Sequence, residues 1–204
     1  MRTLPLQLPL LGLLLLQCGC RKAPEVPECC KEPGTPAEAA DTRSLHLLES
    51  TWRDTLGSSV RLEDLPGTVR IVTLIYTTCE YACPATLADL RKFEAAIPRA
   101  SLPNVHFVLV SMDPERDTPG VLAEYAKNHG LAAERWTLLQ GSTEATRELA
   151  AVLGFRFKKV GAGFTHSNAV YALDRRGVVV ATASGQPLPA ELLSSAIERA
   201  ISNR

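Results

Sequence analysis

The sequence predicts an α/β domain, a central mixed sheet flanked by helices, behind an N-terminal signal and tether. Three observations carry this. Val69 to Tyr76 and Val105 to Met112 are β-branched runs whose apolar character hardly alternates, the pattern of strands buried on both faces. Between them, Leu87, Leu90, Phe93 and Ile97 recur at helical spacing, so strand, helix and strand form a parallel crossover. Near the C-terminus, Asn168 to Asp174 and Gly177 to Ala183 flank Arg175-Arg176-Gly177 as an antiparallel hairpin.

Composition bounds the function. The chain has 204 residues, 46% hydrophobic and 22% charged, which fits one globular domain rather than a multi-span membrane protein or a disordered chain. Lysine plus arginine equal aspartate plus glutamate at 22 each, so no surplus of positive charge exists to hold a phosphate backbone. Nucleic acid is not an expected partner. Six of the 14 prolines and four of the six cysteines fall within residues 1–40, which separates a head from a body.

Arg2 precedes an apolar run from Leu4 to Leu16, long enough for a signal-peptide core but short of the ~20 residues that span a bilayer. Residues 1–19 are therefore expected to be an export signal. Gln17-Cys18-Gly19-Cys20 resembles a bacterial lipoprotein processing site, with Cys20 the first candidate for lipidation and Cys18 the second. Residues 20–40 are rich in proline, glutamate and alanine and read as a flexible tether. Within it, adjacent Cys29 and Cys30 are two linker thiols, a strained vicinal disulfide or a pair of soft ligands. The expected location is extracytoplasmic, periplasmic in a bacterium, with the body held at a membrane by the head.

Residues 41–204 form the body, about 160 residues, enough to bury roughly 70% of the unfolded-chain surface. Leu45 to Leu48 and Val60 to Leu62, joined through Leu56-Gly57, are expected to form an entry hairpin. The helix after the first central strand is placed at Pro84 to Ala96. Asp117-Thr118-Pro119 supplies a cap and a first-turn proline for a second helix ending near His129, with Gly130 as its stop. Trp136 to Leu139 reads as a short strand. Ser142 caps a helix over Glu144 to Leu153, Gly154 ends it, and Phe155 to Val160 is strand-like. Pro189 to Ile201 closes the chain as an amphipathic helix. This order of elements is that of a thioredoxin-like sheet.

Chemistry concentrates at Tyr76-Thr77-Thr78-Cys79-Glu80-Tyr81-Ala82-Cys83-Pro84, where a central strand leads into a helix. Cys79 and Cys83 are the body's two cysteines. With Pro84 read as the first helical position, the helix terminus is expected to favour a Cys83 thiolate. Two thiols at this junction can close a reversible disulfide or bind a soft metal ion. A permanent staple is the poorer reading, because so short a ring constrains the unfolded chain little. Gly161 to Ser167 is read as a mobile, glycine-bearing loop that delivers His166, either as a solvated side chain or as a third donor. Two sulfurs and a nitrogen suit Cu(I), or Cu(II) with a further oxygen.

These residues resemble the SCO/SenC copper chaperones of respiratory oxidase assembly. The resemblance rests on the CxxxCP core, on Ser111-Met112-Asp113-Pro114-Glu115-Arg116-Asp117-Thr118-Pro119 and on Thr165-His166-Ser167, and it runs from about Trp52 to the last helix. It implies a thioredoxin-like fold in which Cys79, Cys83 and His166 bind one copper ion beside a membrane. It also implies delivery of that copper to the CuA centre of cytochrome c oxidase, or to another copper acceptor, or reduction of that centre's cysteines. Glu80 and the Ala162-to-Thr165 approach depart from the usual family pattern, which bears on partner choice. Asp113 and Asp117 are explained by a turn and a helix cap, with tuning of the site as the alternative.

Other readings remain in view. The Cys79 and Cys83 pair, taken as catalytic, would make the chain a thiol-disulfide oxidoreductase with copper incidental. Cys83-Pro84-Ala85-Thr86 faintly resembles a peroxiredoxin segment, but Glu80 stands where those enzymes carry threonine. A CuA-bearing protein would need histidine at the position of Leu87. His106 is expected within the core, His129 at a helix C-terminus, His46 in the entry segment, and Trp52, Trp136 and Phe93 as packing residues. Lys158-Lys159 reads as a solvated edge.

Overall fold

The computed structural model describes residues 44–202. The signal, the tether and Cys18, Cys20, Cys29 and Cys30 lie outside the described residues. A 3-10 turn at Leu45–Leu47 leads into strands β1 (Thr51–Arg53) and β2 (Ser59–Arg61), then β3 (Val69–Ile75). Helix α1 (Ala82–Ala96) crosses to β4 (Val105–Ser111), followed by α2 (Pro119–Asn128), β5 (Trp136–Leu139) and α3 (Thr143–Leu153). Strands β6 (Phe157–Val160) and β7 (Gly163–His166) precede β8 (Ala169–Leu173), β9 (Val179–Ser184) and α4 (Ala190–Ser202).

The principal sheet has the order β5-β4-β3-β8-β9. Strands β3, β4 and β5 run parallel, while β8 and β9 add antiparallel partners, which gives the mixed thioredoxin-like sheet. Every residue of β3, β4 and β8 is buried, so side chains on both faces are covered; β9 alternates as an edge strand does. Phe107 of β4 stacks on Trp136 of β5 with centroids 4.3 Å apart and meets Phe93 of α1 edge-on. Burying side chains of this size stabilises by about 1.5–3 kcal/mol each.

Local chemistry sets the helix ends. Thr118 Oγ1 accepts from the amide of Val121 and Pro119 occupies the first turn of α2. Ser142 Oγ accepts from the Ala145 amide, and Gly154, at φ +70°, closes α3 in the left-handed conformation.

Four local expectations are revised. The entry hairpin pairs β1 with β2 around Gly57, not Leu45 to Leu48 with Val60 to Leu62. Asp54 accepts amides from Leu56 and Ser58 and sets that turn, while Ser44 caps the 3-10 turn through His46. Helix α1 begins at Ala82, two residues before Pro84. Thr118, not Asp117, caps α2, because the Asp117 carboxylate is used elsewhere. Finally, the segment before His166 is a β-hairpin rather than a loop: Phe157 pairs with His166 and Val160 with Gly163, turning at Gly161 with φ +59°.

Candidate metal centre

Strand β3 ends at Ile75, Tyr76 follows buried, and the chain turns so that Cys79 stands just before α1 while Cys83 lies in its first turn. The β6–β7 hairpin brings His166 to the same place. The sulfurs of Cys79 and Cys83 and a ring nitrogen of His166 all lie within 4.8 Å of one another. Both cysteines are free thiols. His166 Nδ1 lies 2.7 Å from the Ser167 carbonyl oxygen. A carbonyl only accepts, so Nδ1 carries the proton and the neutral ring keeps its Nε2 lone pair for a ligand.

The two thiols differ in acidity. Cys83 is 3% exposed, and burial, aided by the neighbouring charges of Cys79 and Asp117, pushes its thiol up to about 12. The expectation that the helix terminus favours a Cys83 thiolate is thus reversed, because desolvation outweighs the dipole. Cys79 is half-buried. Burial raises its pKa, but hydrogen bonds from the Cys83 and Tyr81 amides and the Tyr76 hydroxyl outweigh that and leave it below the ordinary thiol value. Cys79 is the more accessible and the more acidic of the two thiols.

Residues around the ligands hold them in place. Phe155 stacks on the His166 ring at 6.0 Å and 15°, and Tyr76 meets the same ring edge-on. Asp117 is fully buried: Thr77 Oγ1 donates to Oδ1 at 2.5 Å, while Ser111 Oγ and the Thr77 amide donate to Oδ2 at 2.6 and 3.2 Å. It therefore anchors the start of the cysteine loop to the end of β4. Asp113 Oδ2 accepts from Arg116 Nε at 2.5 Å, and Arg116 Nη2 donates to the Ala162 carbonyl at the hairpin turn. Lys159 pairs with Glu115 at 3.0 Å and adds a second tie. Thr86 of α1 donates to Asn168, just beyond the His166 strand.

Tyr76 and Phe155 escaped the sequence reading. The signal for Tyr76 was present, since a phenol stands where a buried strand leaves the core beside a cysteine. Nothing local marks Phe155, whose stacking depends on where the hairpin lands. His106, His129 and His46 lie apart from the three donors, whereas Lys158 is on the strand paired with that of His166, opposite Thr165. His106 is buried with Nε2 2.8 Å from Thr137 Oγ1, His129 follows α2, His46 lies against Arg70, and Lys158 is exposed on β6.

The SCO1/SenC family model matches residues 46–202. The chain belongs to the SCO1/SenC family. It is 30% identical over 106 residues to the SCO1 protein homolog of Bacillus subtilis (strain 168), covering 52% of this chain and 54% of that one. It is 30% identical over 95 residues, 47% of this chain and 45% of the other, to a Stutzerimonas stutzeri protein whose name proposes copper binding. The chain spans about half the length of these curated relatives. Among solved structures it is similar to BsSco, described with a disulfide switch in the Sco family of cytochrome c oxidase assembly proteins. That match has 28% identity and a TM-score of 0.67, covering 77% of this chain and 94% of BsSco.

Proposed function

We propose that this SCO1/SenC protein is a copper carrier in which Cys79, Cys83 and His166 hold one ion as cargo. The carrying observation is the convergence of two sulfurs and an imidazole nitrogen within 4.8 Å. Thiolate softness selects Cu(I), and Cu(II) would take a further oxygen donor. Structural zinc calls for four protein ligands. Cys79 arrives as the more acidic thiol, and Cys83 must lose its proton as the metal enters, so loading releases protons. The acceptor on this reading is the CuA-bearing oxidase subunit or another extracytoplasmic copper protein, with residues 1–40 holding the body at the membrane.

A second role is favoured by the unequal thiols and by the disulfide switch described for BsSco. The Cys79 thiolate attacks an acceptor disulfide, forming a mixed disulfide and expelling one acceptor thiolate. The Cys83 thiol then gives up its proton and attacks the Cys79 sulfur, which releases the second acceptor thiolate. Two electrons pass to the acceptor, and Cys79 and Cys83 end as a disulfide. This route does not need His166.

Chelator competition on the reduced, Cu(I)-loaded chain tests the carrier reading. The Cys79→Ser, Cys83→Ser double variant is expected to lose tight binding and His166→Ala to weaken it. Full affinity in the double variant overturns the reading. A peptide-disulfide assay with the same variants separates the roles, since His166→Ala keeps reductase activity while failing in copper transfer.

A further inference from the structure

Beside the metal centre, a cleft of about 530 Å³ runs between α3, the Asp113–Glu115 turn and the β6–β7 hairpin. Phe155, Phe157 and Phe164 supply its apolar wall. Thr146, 1% exposed, lines it, and its Oγ1 has no hydrogen-bond partner among the described residues. The acidic residues of the cleft are engaged, Asp113 with Arg116 and Glu115 with Lys159. Arg147, Arg156 and Lys158, all exposed, carry no ion pair among the described residues. The cleft is therefore net positive. Strand β6 pairs with β7 alone, so its second edge has backbone donors and acceptors to spare.

We infer that this cleft docks an extended, acidic segment with one aromatic side chain, presented by the protein that exchanges copper or electrons with the centre. The aromatic ring would enter among the phenylalanines. Its neighbouring carboxylates would meet Arg147, Arg156 and Lys158, and its backbone would run along β6. Arg156, Phe157 and Lys158 also border a hollow of about 400 Å³ that reaches His166, so the bound segment leads to the ligand. Phe155 stacks on His166, and Phe164 packs on Tyr76 with centroids 5.1 Å apart, so an occupant presses directly on the metal centre's supports. The partner's role rests on the proposed function; the docking itself does not.

The test uses the full chain, reduced and free of metal, so that loss of docking and loss of copper binding are read separately. The probe is a fluorescein-labelled peptide with one phenylalanine among glutamates, followed by anisotropy and by amide chemical shifts. Binding is expected, with shifts at residues 113–115, 146–151 and 155–166. Affinity should fall about tenfold or more in Arg147→Glu, Arg156→Glu and on replacing the peptide's phenylalanine by alanine, while Arg199→Glu on α4 should change nothing. Ala151→Trp, at an exposed position on the cleft wall, should block binding with the thermal midpoint retained. Equal binding by a lysine-for-glutamate peptide, or unchanged affinity in a chain carrying both Arg147→Glu and Arg156→Glu, overturns the inference. So do cleft shifts that grow with protein concentration alone, marking a second copy as occupant. A gain of peptide affinity on deleting residues 20–40 also overturns it, because the chain's own tether would then be the occupant.

Discussion

The backbone amide of Cys83 donates to the sulfur of Cys79 at 3.3 Å. One cysteine's amide thus makes the other's thiol more acidic, while its own buried sulfur is made less so. The pair is asymmetric before any metal or disulfide arrives.

Alkylation exposes that asymmetry. With iodoacetamide and mass spectrometry across about pH 6–9, Cys79 should react with a midpoint below an ordinary thiol, while Cys83 stays largely unmodified. Tyr76→Phe removes a donor to the Cys79 thiolate and should move its midpoint upward.

Copper affinity should depend on pH with a definite sign. Because Cys83 stays protonated up to about 12, each ion bound displaces its proton. Apparent Cu(I) affinity should therefore rise about tenfold per pH unit from Cys83 alone, with Cys79 steepening the slope below its own lowered pKa. A pH-independent affinity in chelator competition would mean that Cys83 is not a ligand.

His106 governs acid stability at the opposite end of the sheet. Burial, aided by Arg70, lowers its pKa from 6.5 to about 4. Between those values the unfolded chain binds the extra proton, so stability is whole above about pH 6.5 and is lost as pH falls toward about 4. The loss is on the order of 3 kcal/mol. Urea midpoints at about pH 7 and pH 4.5 should diverge, and His106→Gln should narrow the gap.

Gly141 is required by close approach. A Cβ there would lie 2.5 Å from Cζ3 of the buried Trp52. Gly141→Ala should cost about 1–3 kcal/mol in urea unfolding by overpacking, leaving copper binding intact.

Much of this was legible in the chain. Val69 to Ile75 and Val105 to Ser111 declare themselves because strands covered on both sides need apolar residues at every position. Ser142 and Gly154 announce their helix because cap chemistry is local. The C-terminal hairpin was legible, but the entry hairpin and the one before His166 were not: Gly163 to His166 is a strand only because Phe157 to Val160 lies beside it. Cys79 and Cys83 could be named as a pair from residue type and spacing, with His166 added by the family resemblance, yet the acidity of Cys83 is decided by its burial in the fold. Asp117 followed the same pattern, as a cap in sequence but in the fold a hub for Thr77 and Ser111.

The His166 hairpin is a two-stranded piece outside the five-stranded sheet, clasped at its base where Arg156 and Ser167 exchange two hydrogen bonds. Cys79 and Cys83 sit at the junction of the main sheet and α1, whereas His166 sits on this separate hairpin. On the carrier reading proposed above, release would start at His166, once the Arg116–Ala162 and Lys159–Glu115 ties let the hairpin move, while both sulfurs stay where the sheet and α1 hold them.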